Sequence, residues 1–208
     1  MSYSAIFFDW DGVITDSVDI KTKIFAELYR EHGAEVEKKV VDFHLQHGGV
    51  SRYVKFKYFH ENFLNMKLSE AEVEQMAQQF SSHAFDAVIQ SPFVPGVLET
   101  ISNEFAKNTL LFIVSATPME EIKRIVEAKN LVHFFKEIHG SPTTKQEIIK
   151  NLISRYKLTG SKCLMIGDAI EDYQAAVDNG VKFLGIAKED GYNVGFPQGT
   201  TIRSEVKI

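Results

Sequence analysis

The chain has 208 residues, of which 44% are hydrophobic and 25% charged, and its formal net charge at pH 7 is −5. A chain of this length can bury a proper core and can form one domain with a substantial insertion. The negative balance argues against a general attraction to nucleic acid or to an anionic membrane. We therefore expect neither a nucleic-acid polymer nor a membrane as a partner.

The N-terminus and the single cysteine carry the signals for the cellular compartment. The chain enters an apolar strand pattern at once, without a basic and apolar leader, and it has no apolar run that approaches a membrane span. Cys163 cannot form an intramolecular disulfide, so we expect it in the core as a small hydrophobe. These features predict a cytoplasmic protein. The sequence carries no signal for the oligomeric state.

The first predicted strand, residues 4–9, delivers two carboxylates onto a glycine turn. Asp9 and Asp11 are separated by one residue, so on an extended backbone their side chains point the same way. Like charges held this close need a compensating cation, and hard oxygen ligands suit Mg²⁺. The pattern indicates a metal-assisted carboxylate site. The alternative is that Asp9, Asp11 and Asp16 only form turns at a strand end.

The long interval between residues 16 and 91 contains only helical patterns. Within it, paired glycines precede Ser51, which begins a helix with Arg52 and Lys55 on one face. Gly49, Arg52 and Lys55 are therefore candidates for contact with an anionic substrate; the alternative is a helix start with solvated basic residues. Other histidines have no metal-ligand spacing and are expected at the surface or in a satisfied core: His32, His44, His60, His83, His133 and His139.

The second predicted strand, residues 109–115, is a nearly continuous apolar run that ends in small hydroxyl residues. Such a run is typical of a buried parallel strand. At its carboxyl end, beside the start of a helix, Ser115 can donate a hydrogen bond to a phosphate oxygen. For Thr117 we expect only a helix-capping role, because Pro118 and an acidic first turn follow it.

A lysine opens the amphipathic helix predicted over residues 145–156, which follows a strand pattern at 135–139. The helix dipole favours anions in a first turn, so a lysine there hints at an anionic partner. The alternative for Lys145 is a solvated surface position.

Two further aspartates follow the strand pattern at 162–167, where the chain breaks at a glycine. Asp168 and Asp172 are four residues apart, so they lie on one face of a turn and can jointly address a cation. Glu171 faces differently, and we expect it in solvent.

Strand patterns alternate with helical patterns along most of the chain, which is typical of an α/β doubly wound parallel sheet with helices on both faces. Ligands of such sheets bind beyond the carboxyl ends of the strands, where these motifs lie. Residues 197–208 can add an edge strand. The five predicted core strands are 4–9, 109–115, 135–139, 162–167 and 181–186.

The order of the motifs makes the chain resemble a known superfamily. The Asp9-x-Asp11 strand end, Ser115, the isolated Lys145 and the Gly-Asp168-x-x-x-Asp172 motif resemble the haloacid dehalogenase-like phosphatases. The nearest group is that of phosphoglycolate phosphatase and β-phosphoglucomutase, and the resemblance covers nearly the whole chain. It implies a Rossmann-like catalytic core at residues 1–15 and 93–208, with a small α-helical cap at residues 16–92.

The resemblance implies roles for the residues that would handle the phosphoryl group. Asp9 would be the nucleophile that forms an aspartyl-phosphate. Asp11 would act as general acid to the leaving alcohol and then as general base for water. Ser115, Ala116 and Lys145 would hold the phosphoryl oxygens.

The resemblance also implies a Mg²⁺ cofactor and its ligands. These would be Asp9, the main-chain carbonyl of Asp11, and Asp168, with Asp172 bound directly or through water. A phosphate monoester brings two negative charges toward the anionic Asp9, so a cation is needed to relieve the repulsion.

The predicted function is hydrolysis of a small phosphorylated metabolite, with a sugar phosphate, a phosphoglycolate-like acid or a nucleotide as candidates. Asp11 argues against the dehalogenases, which lack this second aspartate. One alternative is a β-phosphoglucomutase-like mutase, although those enzymes carry a histidine about where Lys21 stands. The other alternative is a non-catalytic binding protein that keeps the fold.

Overall fold

Six parallel strands form one sheet in the computed structural model, which describes residues 3–188 and 195–208. The spatial order is β3-β2-β1-β4-β5-β6, with β1 at the centre between β2 and β4. The predicted doubly wound sheet is confirmed, and β6 is the edge strand expected near the C-terminus. The strands are β1 (Ala5–Phe8), β2 (Leu110–Pro118), β3 (Glu137–Ser141), β4 (Cys163–Gly167), β5 (Lys182–Ile186) and β6 (Ile202–Arg203).

The second strand is longer than its apolar run predicts. Its register with β3 shifts between Val114 and Pro118, so a bulge carries the chain past Ser115, and Pro118 pairs with Ser141. A proline is tolerated here because it ends the strand. The extension keeps Ser115 and Thr117 inside β2 rather than in a loop.

Eight α-helices accompany the sheet within the described residues, and five of them fall between β1 and β2. The first four of these lie in the interval where the sequence predicts only helical patterns. The helices are α1 (Val18–Tyr29), α2 (Ala34–Gln46), α3 (Arg52–Phe63), α4 (Glu70–Gln90), α5 (Val97–Ala106), α6 (Met119–Ala128), α7 (Lys145–Arg155) and α8 (Ile170–Asp178).

Hydrophobic side chains cover both faces of the sheet. Along β1, Ile6 and Phe8 belong to one buried cluster, whereas Ala5 and Phe7 belong to a second cluster on the opposite face. This alternation follows from the two-residue repeat of a strand. Cys163 is buried in the second cluster, as predicted, and has a free thiol.

The helices between β1 and β2 pack around aromatic side chains that belong to the first cluster. Phe25 of α1 lies 5.7 Å from Phe56 of α3 and 4.5 Å from Phe80 of α4, measured between ring centroids. The helical insertion and one face of the sheet therefore share a continuous core. The boundaries of the insertion at residues 16 and 92 stay a prediction. Throughout the described ranges, no helix has both the length and the hydropathy that crossing a bilayer requires.

Candidate active site

A cavity of about 330 Å³ lies where the carboxyl ends of the strands meet the helical insertion. Because parallel strands end at the same edge of a sheet, residues far apart in sequence converge there. At the sheet end, which we call the core end, the lining includes Asp9, Asp11, Ala116, Thr117 and Asp168. At the opposite end, which we call the cap end, the lining includes His44, Leu45, Val50, Arg52 and Lys55.

Lys145 joins two of the predicted site aspartates at the core end. Its Nζ lies 2.7 Å from Asp9 Oδ2 and 2.6 Å from Asp172 Oδ1, and all three side chains are buried. Burial lowers the pKa of Lys145, but the two carboxylates outweigh it and raise the pKa above its ordinary value. Thr144 caps helix α7 with Glu147 in a capping box, which holds Lys145 at the first helical position. Lys145 is not a solvated surface residue.

Three carboxylates gather around this lysine. One oxygen from each of Asp9, Asp168 and Asp172 lies within 4.8 Å of the others. Burial, together with repulsion from Asp9, raises the pKa of Asp168 well above its ordinary value, and burial raises the pKa of Asp172 to about 7 despite Lys145. Three acidic oxygens against one ammonium leave a shortage of positive charge. The oxygen set and this shortage fit a hard divalent cation such as Mg²⁺.

Two glycines, one after β1 and one at the end of β4, allow aspartate side chains to approach the main chain closely. Gly12 has φ +74, and a Cβ at this residue would lie 2.1 Å from Asp168 Oδ2. A Cβ at Gly167 would lie 2.2 Å from the Asp172 Cβ. Any side chain at either position would therefore displace a carboxylate of the cluster.

Asp11 has its own set of partners, separate from Lys145. Ser17 Oγ donates to Oδ1 at 2.6 Å, Thr117 Oγ1 donates to Oδ2 at 3.2 Å, and Lys21 Nζ also binds Oδ2. Burial opposes ionisation, but Lys21 and the two hydroxyls lower the pKa of Asp11 below its ordinary value. Asp11 is therefore held as a carboxylate.

Sequence reasoning missed Lys21, Ser17 and Thr117 as neighbours of Asp11. Lys21 shares the buried face of α1 with Ile24 and Phe25, and a lysine on an apolar helix face is a signal that the sequence does offer. The capping role expected for Thr117 is wrong. Helix α6 begins after Pro118 without a side-chain cap, because the bulge keeps Thr117 within the strand.

Ser115 and Ala116 lie in the last part of β2, which continues to Pro118 beyond the predicted strand end. Ser115 is buried, and its Oγ accepts a hydrogen bond of 3.1 Å from Thr117 N, which leaves the hydroxyl proton available to donate. Ala116 lines the cavity. Their phosphate-binding role stays a prediction.

The guanidinium of Arg52 is held by hydrogen bonds to neighbouring side chains rather than exposed to solvent. Its guanidinium donates to both carboxylate oxygens of Glu121 on α6, at 2.7 and 2.9 Å, and to Ser81 on α4 at 2.7 Å. It also lies 4.4 Å from the centroid of the Phe80 ring. This buried bidentate ion pair ties α3 of the insertion to α6 of the core.

Lys55, one turn further along α3, has a different environment. It is only 2% exposed, and its Nζ lies 2.8 Å from Nδ1 of His44, which is 5% exposed. Among the described residues no carboxylate lies within ion-pairing distance of this ammonium, and His44 Nε2 is buried without a hydrogen-bond partner. The expectation that His44 and His60 lie at the surface or are satisfied is wrong, since both are buried with an unpaired ring nitrogen.

Gly49 and Glu171 form a second contact between the insertion and the core. Glu171 Oε2 accepts a hydrogen bond of 3.1 Å from Gly49 N, and Oε1 lies 3.2 Å from His47 Nδ1. The expectation that Glu171 is merely solvated is wrong. A Cβ at Gly49 would come within 2.7 Å of the Glu171 Cβ, so the glycine permits this approach.

Trp10 stands between the two aspartates of the first motif. Its main-chain N donates to Asp9 Oδ1 at 2.7 Å. Its side chain is fully buried in the first cluster, and its Nε1 has no partner in the part of the chain that the structure describes.

Comparisons with known proteins agree with this geometry. The sequence model of the haloacid dehalogenase-like hydrolases matches residues 6–186. Phosphoglycolate phosphatase of Aliivibrio fischeri is 26% identical to this chain over 202 residues, which cover 92% of this chain and 86% of that protein. The family match spans all four motifs.

Solved structures share the fold. A haloacid dehalogenase-like hydrolase from Bacteroides fragilis has a TM-score of 0.76 at 20% identity, covering 99% of this chain and 98% of its own. β-Phosphoglucomutase from Clostridium difficile has a TM-score of 0.74 at 21% identity, covering 89% and 85%. The resemblance read from the motifs and the prediction of an enzyme are both confirmed. This chain belongs to the haloacid dehalogenase-like hydrolase family.

Proposed function

We propose that the protein is a Mg²⁺-dependent phosphatase that hydrolyses a small phosphate monoester through an aspartyl-phosphate on Asp9. The observation that carries this proposal is the bridging of Asp9 and Asp172 by Lys145, next to Asp168, at the end of the central strand. A carboxylate beside a buried cation is suited to attack a dianionic phosphoryl group.

In the first step, a carboxylate oxygen of Asp9 attacks phosphorus, and the bond from phosphorus to the ester oxygen breaks. Lys145 screens the charge of the incoming phosphoryl group, and the Ser115 hydroxyl and the Ala116 main chain hold its oxygens. For this step Asp11 carries the proton that it took from water in the preceding turnover. It donates this proton to the departing alkoxide and becomes a carboxylate again, and the alcohol leaves.

In the second step, water attacks the aspartyl-phosphate, and Asp11 takes up its proton. Inorganic phosphate is released and the Asp9 carboxylate is restored. The hydrogen bonds from Ser17, Thr117 and Lys21 support this role, because they hold Asp11 as the carboxylate that a base must be.

The cation would be held by the Asp9 and Asp168 carboxylates and the main-chain carbonyl of Asp11, with Asp172 directly or through water. When bound, Mg²⁺ supplies positive charge to the phosphoryl oxygens during displacement. Asp168 is the freest of these ligands, because both oxygens of Asp172 already accept hydrogen bonds, from Lys145 and from Ala169 N.

The substrate that we propose is a short phosphorylated metabolite. The relative from Aliivibrio fischeri is named phosphoglycolate phosphatase, and the cavity is small. A mutase remains the second candidate on grounds of fold alone. Lys21 favours the phosphatase, because its amine binds Asp11 at a site where the resembling mutases place a histidine.

The test is turnover of an aryl phosphate by the purified protein with Mg²⁺ and after treatment with a chelator. We expect release of inorganic phosphate that requires the cation. A mutase would instead transfer the phosphoryl group to a second sugar hydroxyl and release little phosphate. Absence of turnover for every monoester tested would favour the non-catalytic binding protein.

A further inference from the structure

We propose that Lys55 and His44 form a subsite for a carboxylate on the leaving group of the substrate, so that the substrate is a short phosphorylated carboxylic acid. This inference rests on the proposed phosphatase function and deepens it. Its starting point is a pair of buried hydrogen-bond donors at the cap end of the cavity.

The donors of this pair exceed its acceptors. Lys55 carries three N–H groups, and one of them is directed at His44 Nδ1. Acceptance at Nδ1 places the imidazole proton on Nε2, which is buried without an acceptor among the described residues. A buried ammonium without a carboxylate is costly, so a ligand that supplies anionic oxygens would relieve the cost.

The charge at the cap end favours a substrate with one carboxylate there over a substrate with a second phosphate. Lys55 is the only cation at the cap end, among the described lining residues, that lacks an acidic partner, because Glu121 already neutralises Arg52. A carboxylate carries one negative charge, which matches one ammonium. A second phosphate carries close to two and would meet only one free cation.

The small size of the cavity favours a short substrate. A single cavity of about 330 Å³ is lined by Asp11 and Lys21 at the core end and by Lys55 at the cap end, so a ligand that joins the two ends is small. Phe25 and Phe80 also line the cavity, and their rings form no hydrogen bonds with a substrate. A two- or three-carbon acid fits this arrangement better than a nucleotide.

The experiment compares three phosphate monoesters of nearly equal size: phosphoglycolate, hydroxyethyl phosphate and phosphoethanolamine. Their leaving groups carry a negative, a neutral and a positive end. We expect the wild-type kcat/KM to fall in that order. In Lys55→Met the preference for phosphoglycolate over hydroxyethyl phosphate should shrink by about 10- to 100-fold, the value of a charge-assisted hydrogen bond.

The matched control is Lys57→Met, which removes an exposed lysine of the same helix that pairs with Glu70. It should leave the preference unchanged. His44→Phe keeps an aromatic ring against Phe25 and should reduce the preference by less than Lys55→Met does. Hydroxyethyl phosphate turnover reports on folding of each variant, because this substrate does not use the subsite.

A binding measurement separates this inference from the proposed function. Phosphoglycolate and hydroxyethyl phosphate are each titrated by calorimetry into Asp9→Asn and into the double variant Asp9→Asn with Lys55→Met. This measurement of binding needs no turnover. Tighter binding of phosphoglycolate that depends on Lys55 supports the subsite even if no ester is hydrolysed. Equal affinities, or a preference that survives Lys55→Met, would overturn it, while hydrolysis of an aryl phosphate would leave the phosphatase assignment intact.

Discussion

Arg52 and Lys55 are two buried cations on one helix, three residues apart, with opposite surroundings. Arg52 forms two hydrogen bonds with Glu121, whereas among the described residues Lys55 contacts the imidazole of His44 and the ring of Phe25 and has no acidic partner. The difference comes from the element that each side chain faces, which is α6 of the core for Arg52 and α2 for Lys55. A paired cation fastens two parts of the protein together, and an unpaired one retains the capacity to bind a ligand.

The same contrast separates the two ends of the cavity. At the core end, Lys145 has Asp9 and Asp172 as partners, and Lys21 has Asp11. In our proposals the charges at the core end take part in the reaction, and those at the cap end select the substrate. The following predictions test this division, beginning with the largest expected effect.

Loss of the Asp9 carboxylate should have the largest effect on the reaction at the core end. Asp9→Asn should lower kcat by about 10⁴- to 10⁶-fold, as removal of a nucleophile does. Asp11→Asn should lose about 10²- to 10⁴-fold and still accumulate the phosphorylated enzyme in a single turnover. The control is Asp86→Asn, an exposed position on α4. Near-normal phosphate release by Asp9→Asn would falsify the assignment.

Loss of the Arg52 side chain should destabilise the fold, because its ion pair with Glu121 joins α3 to α6. Arg52→Met leaves Glu121 buried without its partner, so the free energy of unfolding should fall by about 3–5 kcal/mol. The double variant Arg52→Met with Glu121→Met removes both charges and should recover most of this loss. Urea unfolding of the three proteins measures the effect. A double variant as unstable as the single one would contradict the ion-pair explanation.

The two aspartates that follow β4 should contribute unequally to the Mg²⁺ requirement of the enzyme. Asp168→Ala should raise the Mg²⁺ concentration for half-maximal activity by about 10- to 100-fold, because this side chain has no protein partner in the described ranges. Asp172→Ala should raise it less, since Lys145 and Ala169 already occupy its oxygens. Activity is measured for both variants over a range of buffered Mg²⁺ concentrations. A larger Mg²⁺ requirement for Asp172→Ala than for Asp168→Ala would mean that Asp172 is the more direct ligand.

Replacement of Lys55 should stabilise the protein, in contrast to Arg52. Lys55→Met should raise the free energy of unfolding by about 1–4 kcal/mol at pH 7 or below. Burial lowers the pKa of Lys55 from 10.5 to about 7, so the unfolded chain binds more protons between these values, and wild-type stability rises with pH there. The stability that Lys55→Met gains over wild type should therefore shrink as the pH approaches 10.5. The charged or titratable groups around Lys55 are Glu171, Lys21, Asp11, Lys145 and His44.

Denaturant unfolding of wild type and Lys55→Met across this pH range is the measurement, with Lys57→Met as the control. A variant less stable than wild type at pH 7 would mean that the ammonium is satisfied within the fold.

The sheet and the strand-end motifs were predictable because their signals are local. Continuous apolar runs predict buried parallel strands, and the topology brings every strand end to one edge. Asp9, Asp168 and Lys145 could therefore be assembled without a structure. The bulge in β2 has no such signal, so the sequence predicts a helix cap for Thr117 although this residue lies in the strand.

Contacts across the boundary between insertion and core could not be predicted. Glu121 and Glu171 lie far in sequence from Arg52 and Gly49, and nothing in their spacing shows that they meet. Whether a buried cation has a partner depends on the packing of helices from different parts of the chain. Arg52 and Lys55 thus look alike in sequence and differ only in the folded molecule.

The position of Trp10 gives the protein an internal optical probe. It is the only tryptophan of the chain, and its main chain is hydrogen-bonded to the carboxylate of Asp9. Phosphorylation of that carboxylate would change the charge beside the single buried indole, and no second tryptophan contributes to the signal. Stopped-flow recording of the intrinsic fluorescence would then resolve the formation and decay of the phosphorylated state on unlabelled protein.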